Sequence, residues 1–369
     1  MGDALLNQKT GRRGGNGPTI RQVAIHAGVS PMTVSRVVNG DKNVREDTRA
    51  KVAASIKAMR YSPNMAARSL ATADAVKIGV LHSNPSSAYL SEFLVGSLEQ
   101  SSLNGCQLVV EKCDGPGSER AAIEKLADSS TDGVILPPPL CDSAEALAAV
   151  KDVDLPAVAV ATGRRIPGLS SVSINDFDAA RAMTRYLASL GHRRIAFIKG
   201  HPNQSISDER YQGFVAGMAE AGLTVDPRQV VQGFFTYKSG LEAAESLLAG
   251  PLSLSAIFAS NDDMAAAAVA VAHRMGLEVP QNLSIVGFDD TPLALTVWPA
   301  LTTVRQPIAD MARNAVTLLL EQIHNRRAGE ARIPGAQRVL AYTLIHRESS
   351  DVERPGAAPR QRASLKTLL

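Results

Sequence analysis

The pattern of hydrophobic and polar positions divides the chain into a short helical part and, from residue 76 onward, a repeating strand–helix part. Apolar runs such as VKIGVL (76–81) and AVAV (157–160) are each followed by an amphipathic helical segment. Strands that alternate with helices are typical of mostly parallel sheets covered on both faces. Two such runs, separated near residue 175, predict two doubly wound α/β lobes.

The elements of these lobes follow from the same periodicity. Strands are predicted at 76–81, 107–110, 133–138, 157–160, 172–174, 194–200, 229–233, 256–260 and 283–290. Helices are predicted near 88–103, 118–128, 143–150, 177–190, 207–221, 238–249 and 262–275. A long helix, about 307–327, and one late strand, RVLAYTLI (338–345), are predicted to complete the lobes by crossing back. Lobe 1 is then about 75–174 plus 306–334, and lobe 2 about 175–305 plus 335–350.

Residues 19–40, TIRQVAIHAGVSPMTVSRVVNG, predict two short helices joined by a tight turn. Thr19 can cap the first helix, and Gln22 three residues later completes a capping box. Gly28 occupies the turn, where a residue without Cβ is favoured, and Ser30 can cap the second helix. This is the pattern of a helix-turn-helix, whose second helix enters the DNA major groove.

The rest of the N-terminal region predicts how this motif is packed and attached. In the second helix, Val34, Val37 and Val38 face inward, whereas Met32, Thr33, Ser35 and Arg36 face outward. A third helix, about 45–59, covers the first two. The predicted divisions are a disordered tail (1–17), the head (18–62), a short helix with a linker (63–74), the two-lobed core (75–350) and a second disordered tail (351–369). Because a helix as short as 63–70 is marginal alone in water, this segment is either a switch element or an ordinary structured linker.

The N-terminal head region and the rest of the 369-residue chain carry net charges of opposite sign. Residues 1–70 contain 12 Lys and Arg against 4 Asp and Glu, a net of +8, so the other 299 residues carry −5 of the total +3. A basic head on an acidic body indicates nucleic-acid binding at one end. The three cysteines lack metal-ligand spacing, no run of ~18 apolar residues could cross a membrane, and the N-terminus has no apolar signal region. We therefore expect a cytoplasmic protein without a cofactor.

Polar and aromatic residues of both lobes fall at the ends of predicted strands or early in the helices that follow them. They are Ser83, Asn175, Arg210, Phe235, Asn261 and Asp289. Because ligands of open α/β sheets lie outside the carboxyl ends of the strands, two lobes place a site in the cleft between them. A carboxylate, an amide, an Arg fork and an aromatic ring suit a polyhydroxylated ligand. Each residue alone could be a strand-end cap or a solvated charge, but the set indicates a site.

Particular motifs carry a resemblance to a known family. The head contains T-x-x-x-V-A-x-x-A-G-V-S-x-x-T-V-S-R-V-x-N followed by YSPN (61–64). The lobes contain LGHRRIAFI (190–198), ERYQGF (209–214), AIFASNDDMA (256–265), LSIVGFDD (283–290) and LTTVRQP (301–307). From about residue 18 to 348 the chain resembles the lac repressor (LacI/GalR) family of bacterial transcription regulators. The resemblance implies a type I periplasmic-binding-protein-like core that dimerises, with one head in each half-site of a palindromic operator.

The resemblance also implies roles for residues of the head and hinge. The base-reading positions are Pro31, Met32 and Arg36. The lac repressor itself has hydrogen-bonding side chains at the first two, so here they offer only apolar contacts, and Arg36 is the candidate for bidentate reading of a guanine. Phosphate contacts are expected from Thr19, Ser30, Thr33, Ser35, Asn39, Asn43 and Asn64. Residues 63–70 correspond to the hinge helix, which places Ala67 and Leu70 in the minor groove, with Leu70 as the kinking wedge.

In the cleft, the resemblance ranks the candidate residues. Arg210 and Asp289 match the main effector contacts of the family, Asn261 and Phe235 match two further contacts, and Ser83 and Asn175 are weaker matches. The C-terminal ASLKTLL (363–369) is too short for the leucine heptads of the tetrameric branch, so a homodimer is expected.

The sequence therefore predicts a non-enzymatic, sequence-specific repressor whose operator affinity is controlled allosterically by a small sugar or sugar derivative, with no membrane partner. The family leaves open a corepressor, as in purine-repressor-like members, or a phosphoprotein partner. A sugar-binding transport protein would need an export signal and has no use for the head. A sugar-acting enzyme is disfavoured because the sequence lacks G-x-x-x-x-G-K-[ST], G-x-G-x-x-G after a strand, H-E-x-x-H and G-x-S-x-G.

Overall fold

The described residues form two compact units. The computed structural model describes residues 18–38, 44–59, 75–113, 115, 117–250, 253–330 and 335–350. The units divide after Ala75: Met1–Ala75 contains the head, and Val76–Leu369 contains both lobes.

The head is built from three helices, α1 (Ile20–Ala27), α2 (Pro31–Val38) and α3 (Glu46–Ala58). Its core consists of the fully or almost fully buried Val23, Ala24, Val34 and Val52. The capping box is present, because the Thr19 amide donates to Gln22 Oε1 at 2.7 Å and the Gln22 amide donates to Thr19 Oγ1 at 3.4 Å. Gly28 ends α1 in the left-handed region with φ 68°, as the turn requires.

Lobe 1 is organised around a parallel six-stranded sheet in the order β11-β5-β4-β3-β1-β2. Its strands are β1 (Lys77–His82), β2 (Gln107–Lys112), β3 (Gly133–Leu136), β4 (Ala157–Val160), β5 (Ser170–Ser173) and β11 (Gln337–Val339). The central strands β3 and β4 are buried throughout, because helices cover both faces of the sheet.

Lobe 2 repeats this architecture in the order β12-β10-β9-β8-β6-β7. Its strands are β6 (Ile195–Lys199), β7 (Val230–Gln232), β8 (Ala256–Ala259), β9 (Ser284–Asp289), β10 (Thr302–Arg305) and β12 (Thr343–Ile345). All pairings are parallel except that between β10 and β12, which is antiparallel.

Helices follow most of the strands and complete both lobes. Those of lobe 1 are α4 (Ser87–Leu103), α5 (Glu119–Asp128), α6 (Ala144–Asp152) and α12 (Ile308–Arg327). Those of lobe 2 are α7 (Asp176–Ser189), α8 (Ser205–Glu220), α9 (Tyr237–Ala249), α10 (Asp262–Arg274) and the short α11 (Leu293–Thr296). The predicted fold class is confirmed, since the N-terminal unit is a helical head and the core unit contains two doubly wound sheets.

The prediction of one late strand over 338–345 is wrong. The chain forms two short strands there, β11 in the sheet of lobe 1 and β12 in that of lobe 2, separated by residues 340–342. Residues 335–339 therefore belong to lobe 1 rather than lobe 2. Alternating apolar residues indicate an extended chain but not which sheet it pairs with, so the pattern could not show the crossing. The pattern also missed β10 and α11.

The described chain passes between the lobes three times: from β5 to α7, from β10 to α12 and from β11 to β12. Each lobe is consequently assembled from non-contiguous segments. These passages bring the carboxyl ends of the strands of both sheets to one cleft. No helix in the described ranges is long and apolar enough to cross a membrane.

Candidate effector cleft and DNA-binding surface

A cavity of about 290 Å³ lies between the lobes, where strands of both sheets end. Lobe 1 contributes the turn after β1, the start of α4 and the loop after β3. Lobe 2 contributes the start of α8 and the loops after β6, β7, β8, β9 and β10. The lining residues are Asn84, Ser86, Tyr89, Pro138, Gln204, Ile206, Arg210, Phe235, Asn261, Asp289 and Gln306.

Arg210 is the central cation of the cleft and is only 1% exposed. It lies in the second turn of α8, where its Nε donates to Asp176 Oδ1 at 2.8 Å and its Nη1 donates to the carbonyl oxygen of Ser260 at 2.6 Å. Nη1 is also 3.8 Å from Asp289 Oδ1. The guanidinium carbon lies 3.6 Å from the centroid of the Phe288 ring, a cation–π contact strengthened by desolvation. These contacts fix the guanidinium in one orientation.

Asp289 is the last residue of β9 and supplies the buried acceptor of the cleft. Burial raises the pKa of its carboxyl well above the usual range, and the neighbouring Asp262 raises it further, whereas Arg210 opposes the shift. Gln306 Nε2 donates to Asp289 Oδ1 at 2.6 Å. The backbone of Asp289 has φ 113°, a conformation that costs energy for any residue other than glycine and that clusters at ligand sites.

Phe235 places its ring against the floor of the cleft. A Cβ at Gly200 would lie 2.0 Å from Phe235 Cζ, so only glycine leaves room for the ring there. Phe235 also has a positive φ of 60°, and Asn261 Nδ2 donates to its carbonyl oxygen at 3.1 Å. Asn261 in addition caps α10 through the amide of Met264 at 3.0 Å. The strained loop is therefore held by a side chain that itself faces the cleft.

A buried carboxylate, Asp262, lies directly behind Asp289. Its Oδ1 accepts from Thr303 Oγ1 at 2.7 Å, and its Oδ2 accepts from the Thr291 amide at 2.8 Å. Burial raises its pKa to about 7, while these hydrogen bonds oppose the shift and Asp290 adds to it. Asp262 is thus a structural carboxylate that stabilises the loop after β9.

Four of the six predicted effector residues meet in this cleft: Arg210, Phe235, Asn261 and Asp289. Ser83 does not line the cavity, although the next residue does. Asn175 caps α7 through the amide of Asp178 at 2.9 Å and lines a separate depression. Both follow strands, but the pattern could not distinguish a helix-capping side chain from one that points into the cleft.

The sequence reasoning missed several lining residues. The clearest are Tyr89, whose buried hydroxyl has no hydrogen-bond partner among the described residues, and Gln306, whose Oε1 is likewise unpaired there. Burial raises the pKa of the Tyr89 phenol well above its usual range. Gln306 follows β10, so recognising that strand would have identified it. Tyr89 lies inside a helix and gives no strand-end signal.

The surface of α2 displays the residues predicted to read DNA. Pro31, Met32 and Arg36 are exposed, with Met32 at 65% of its full exposure, whereas Val34 is fully buried beneath them. Ser35 is partly exposed and lies on the same helix.

Three predicted phosphate contacts are also part of helix caps. Ser30 Oγ accepts from the Thr33 amide at 3.1 Å and lies 2.9 Å from Thr33 Oγ1. Thr19 caps α1. The predicted contacts Asn39, Asn43 and Asn64 and the predicted hinge residues Ala67 and Leu70 lie outside the described residues, so these roles remain predictions.

Comparisons with known proteins match both the head and the two-lobed core to families of known proteins. Residues 19–64 match the family model "Bacterial regulatory proteins, lacI family", and residues 184–350 match "Periplasmic binding protein-like domain". Among curated relatives, the HTH-type transcriptional repressor PurR of Pectobacterium carotovorum subsp. carotovorum is 35% identical over 84% of this chain and 91% of its own length. The PurR repressor of Haemophilus influenzae is 33% identical over 84% and 93%.

Solved structures give the same result for the fold. The transcriptional regulator CelR in its cellobiose complex superposes with a TM-score of 0.69 at 29% identity, covering 90% of this chain and 100% of that one. The lac repressor dimer bound to operator and the anti-inducer ONPF gives 0.70 at 28% identity, covering 91% and 99%.

Proposed function

The chain belongs to the lacI family of bacterial regulatory proteins and is a DNA-binding transcriptional repressor of that family, and from this premise we propose that a small ligand in the cleft controls its affinity for operator DNA. Regulation would be allosteric, because the ligand site lies in the core unit while the helix-turn-helix belongs to the separate head unit. The protein acts as a homodimer in the cytoplasm, with each head in one half-site of a palindromic operator.

We propose that the ligand is a small polyhydroxylated molecule such as a sugar or sugar derivative. The observation that carries this proposal is the buried Arg210 and Asp289 beside the ring of Phe235. A fixed guanidinium and a carboxylate suit adjacent hydroxyl groups, and an aromatic ring covers the apolar face of a sugar. Polar groups that converge beside one aromatic ring in a concave site are the usual composition of a small-molecule pocket.

A corepressor is the second candidate. The 35% identity with a PurR repressor favours a corepressor, because the aligned 314 residues include the core as well as part of the head. Among the described residues, the Tyr89 hydroxyl and Gln306 Oε1 have no hydrogen-bond partner, and these two buried atoms could form hydrogen bonds with a ligand of either class.

The proposed mechanism is a population shift between two arrangements of the lobes. A ligand shifts this equilibrium only by its difference in affinity for the two arrangements. For an inducer, the favoured arrangement separates the paired hinge segments of the dimer, and the heads lose the spacing that the operator requires. For a corepressor, the favoured arrangement holds that spacing.

The experiment that tests the proposal is operator binding by the full-length protein, with and without a panel of monosaccharides and purine bases. Salt is held constant because phosphate contacts make affinity steeply salt-dependent. Release of DNA by one monosaccharide supports the sugar proposal. Tighter binding with a purine base overturns it in favour of corepression, and DNA binding that no compound alters overturns the ligand proposal as a whole.

A pair of arginine substitutions assigns the response to the cleft. We expect Arg210→Lys to abolish the response, since an ammonium cannot reproduce the forked contacts. Arg228→Lys is the matched control, because Arg228 is an exposed arginine of the same lobe that pairs with Asp226.

A further inference from the structure

Helix α8 forms much of the lobe 2 wall of the cleft, yet among the described residues of lobe 2 no side chain caps its first amide. Ile206 and Arg210 both project from its first two turns into the cavity. The N-cap residue, Gln204, makes no side-chain capping hydrogen bond. The first backbone N–H groups of a helix have no acceptor within the helix. The group that accepts from them therefore helps to fix the position of this wall.

The missing acceptor comes from lobe 1. Asp142, which lies between β3 and α6, accepts from the Ser205 amide through Oδ2 at 2.8 Å and from Ser205 Oγ at 2.8 Å. Its other oxygen accepts from Thr162 Oγ1 at 3.1 Å and from Arg164 Nε at 3.2 Å. The Asp142 side chain is only 3% exposed, and these four donors, from both lobes, surround it.

The contact is reinforced by a close approach of the two backbones. The Gly163 amide of lobe 1 donates to Ser205 Oγ at 2.8 Å, so this hydroxyl both accepts from one residue of lobe 1 and donates to another. A Cβ at Gly163 would lie 3.0 Å from the carbonyl carbon of Ser205. The first residue of α8 therefore lies so close to Gly163 that a larger residue there would press on its backbone.

We propose that Asp142 is a positioning residue that caps α8 from the opposite lobe, so that the cleft wall carrying Arg210 is complete only when the lobes are closed. Separation of the lobes removes the acceptor from the Ser205 amide and frees the first turn of α8. Ligand that favours closure thereby also favours an ordered α8. The inference rests on the proposed function only for the role of Arg210, because the hydrogen bonds of the cap all join groups of this chain.

Hydrogen–deuterium exchange of the full-length protein, without added ligand, tests the proposal. We expect Asp142→Ala to accelerate exchange in the first turn of α8 about five-fold or more, the change that loss of a typical N-cap produces. Asp142→Asn keeps a carbonyl oxygen and is expected to retain most of the protection. If Asp142→Asn accelerates exchange as much as Asp142→Ala does, the contact depends on the negative charge and not on an acceptor oxygen, and the capping proposal is overturned.

Ser143→Ala is the matched control, because Ser143 is the neighbouring residue and caps α6 within lobe 1, through the Ala146 amide at 3.2 Å. It should accelerate exchange at the start of α6 and leave α8 unchanged. Unchanged exchange of α8 in Asp142→Ala, or equal acceleration by Ser143→Ala, overturns the proposal.

A second variant keeps the test decisive if Asp142→Ala does not fold. Gly163→Ala leaves the carboxylate in place but inserts a methyl group against the Ser205 backbone. It is expected to accelerate exchange in the first turn of α8 as well, and failure to do so contradicts the proposal. Neither exchange measurement uses a ligand. A negative exchange result therefore rejects the Asp142 cap but not the ligand proposal, and a negative result from the ligand panel rejects the ligand proposal but not the cap.

Discussion

Replacing Asp262 by Asn should make the stability of the core less dependent on pH. Asp262 is fully buried behind Asp289, and its folded-state pKa of about 7 lies far above the value of about 3.9 for an unfolded aspartate. Asparagine has the same shape. It can accept from the Thr291 amide through its oxygen and donate to Thr303 Oγ1 through its amide nitrogen, so the packing should survive.

The sign follows from which state holds the proton. Below about pH 4 both states are protonated, and the native carboxyl contributes its full stabilising effect. As pH rises towards 7 the unfolded state has lost its proton while the native state keeps it, so the free energy of unfolding falls by up to about 1.4 kcal/mol per pH unit. With a native pKa of about 7, the loss from Asp262 between pH 5 and pH 8 is about 2–3 kcal/mol.

Urea denaturation of the full-length protein, followed by circular dichroism at pH 5 and pH 8, measures this loss. The wild type should lose about 2–3 kcal/mol more stability than Asp262→Asn across this interval. Asp128→Asn is the control, because Asp128 is an exposed aspartate at the end of α5. If Asp262→Asn keeps the wild-type decline, the Asp262 carboxyl does not hold its proton in the folded protein up to about pH 7, contrary to this prediction.

Three further predictions concern the cleft and the head. Arg210→Met should destabilise the core by about 3–5 kcal/mol at pH 8, because it leaves buried carboxylates without their cation, and by less at pH 5, where they can protonate; equal losses in urea denaturation at both pH values would contradict this. Gly200→Ala should displace the Phe235 ring and weaken binding of whichever ligand the panel identifies at least ten-fold by calorimetry, whereas Gly250→Ala meets nothing closer than 3.6 Å and should bind normally. Thr19→Ala should destabilise α1 by about 1 kcal/mol, read as faster amide exchange in that helix; an unchanged rate would mean that the capping box is not stabilising.

The sequence contained most of the fold because its strong signals are local. The strand at AVAV (157–160) and the helix between Thr19 and Gly28 can each be recognised from residues only a few positions apart. The division of 338–345 into β11 and β12 could not be predicted in this way, because it depends on partners that are distant in the sequence. Gln337 of β11 pairs with Ser171, and Ile345 of β12 pairs with Thr303.

The site was predicted where polar residues end a strand or lie shortly after one. Asp289 ends β9, Asn261 follows β8 and Arg210 lies early in the helix after β6, and all three line the cleft. Asn175 also follows a strand, but its side chain turns back to cap a helix, and a strand-end pattern contains no information about that choice. Tyr89 was missed because it is an aromatic residue early in a predicted amphipathic helix, where a buried ring is expected whether or not it faces a cleft.

The three passages of the chain between the lobes have a consequence for building chimeric regulators. Because α12 and β11 of lobe 1 follow β10 of lobe 2 along the chain, and β12 then returns to lobe 2, no single cut in the gene exchanges one lobe for that of a relative without leaving a sheet short of a strand or a helix. The division after Ala75, by contrast, separates two compact units in one step. Recombination at that point can transfer a complete ligand cleft to a different DNA-binding head, so operator choice and ligand choice can diversify independently.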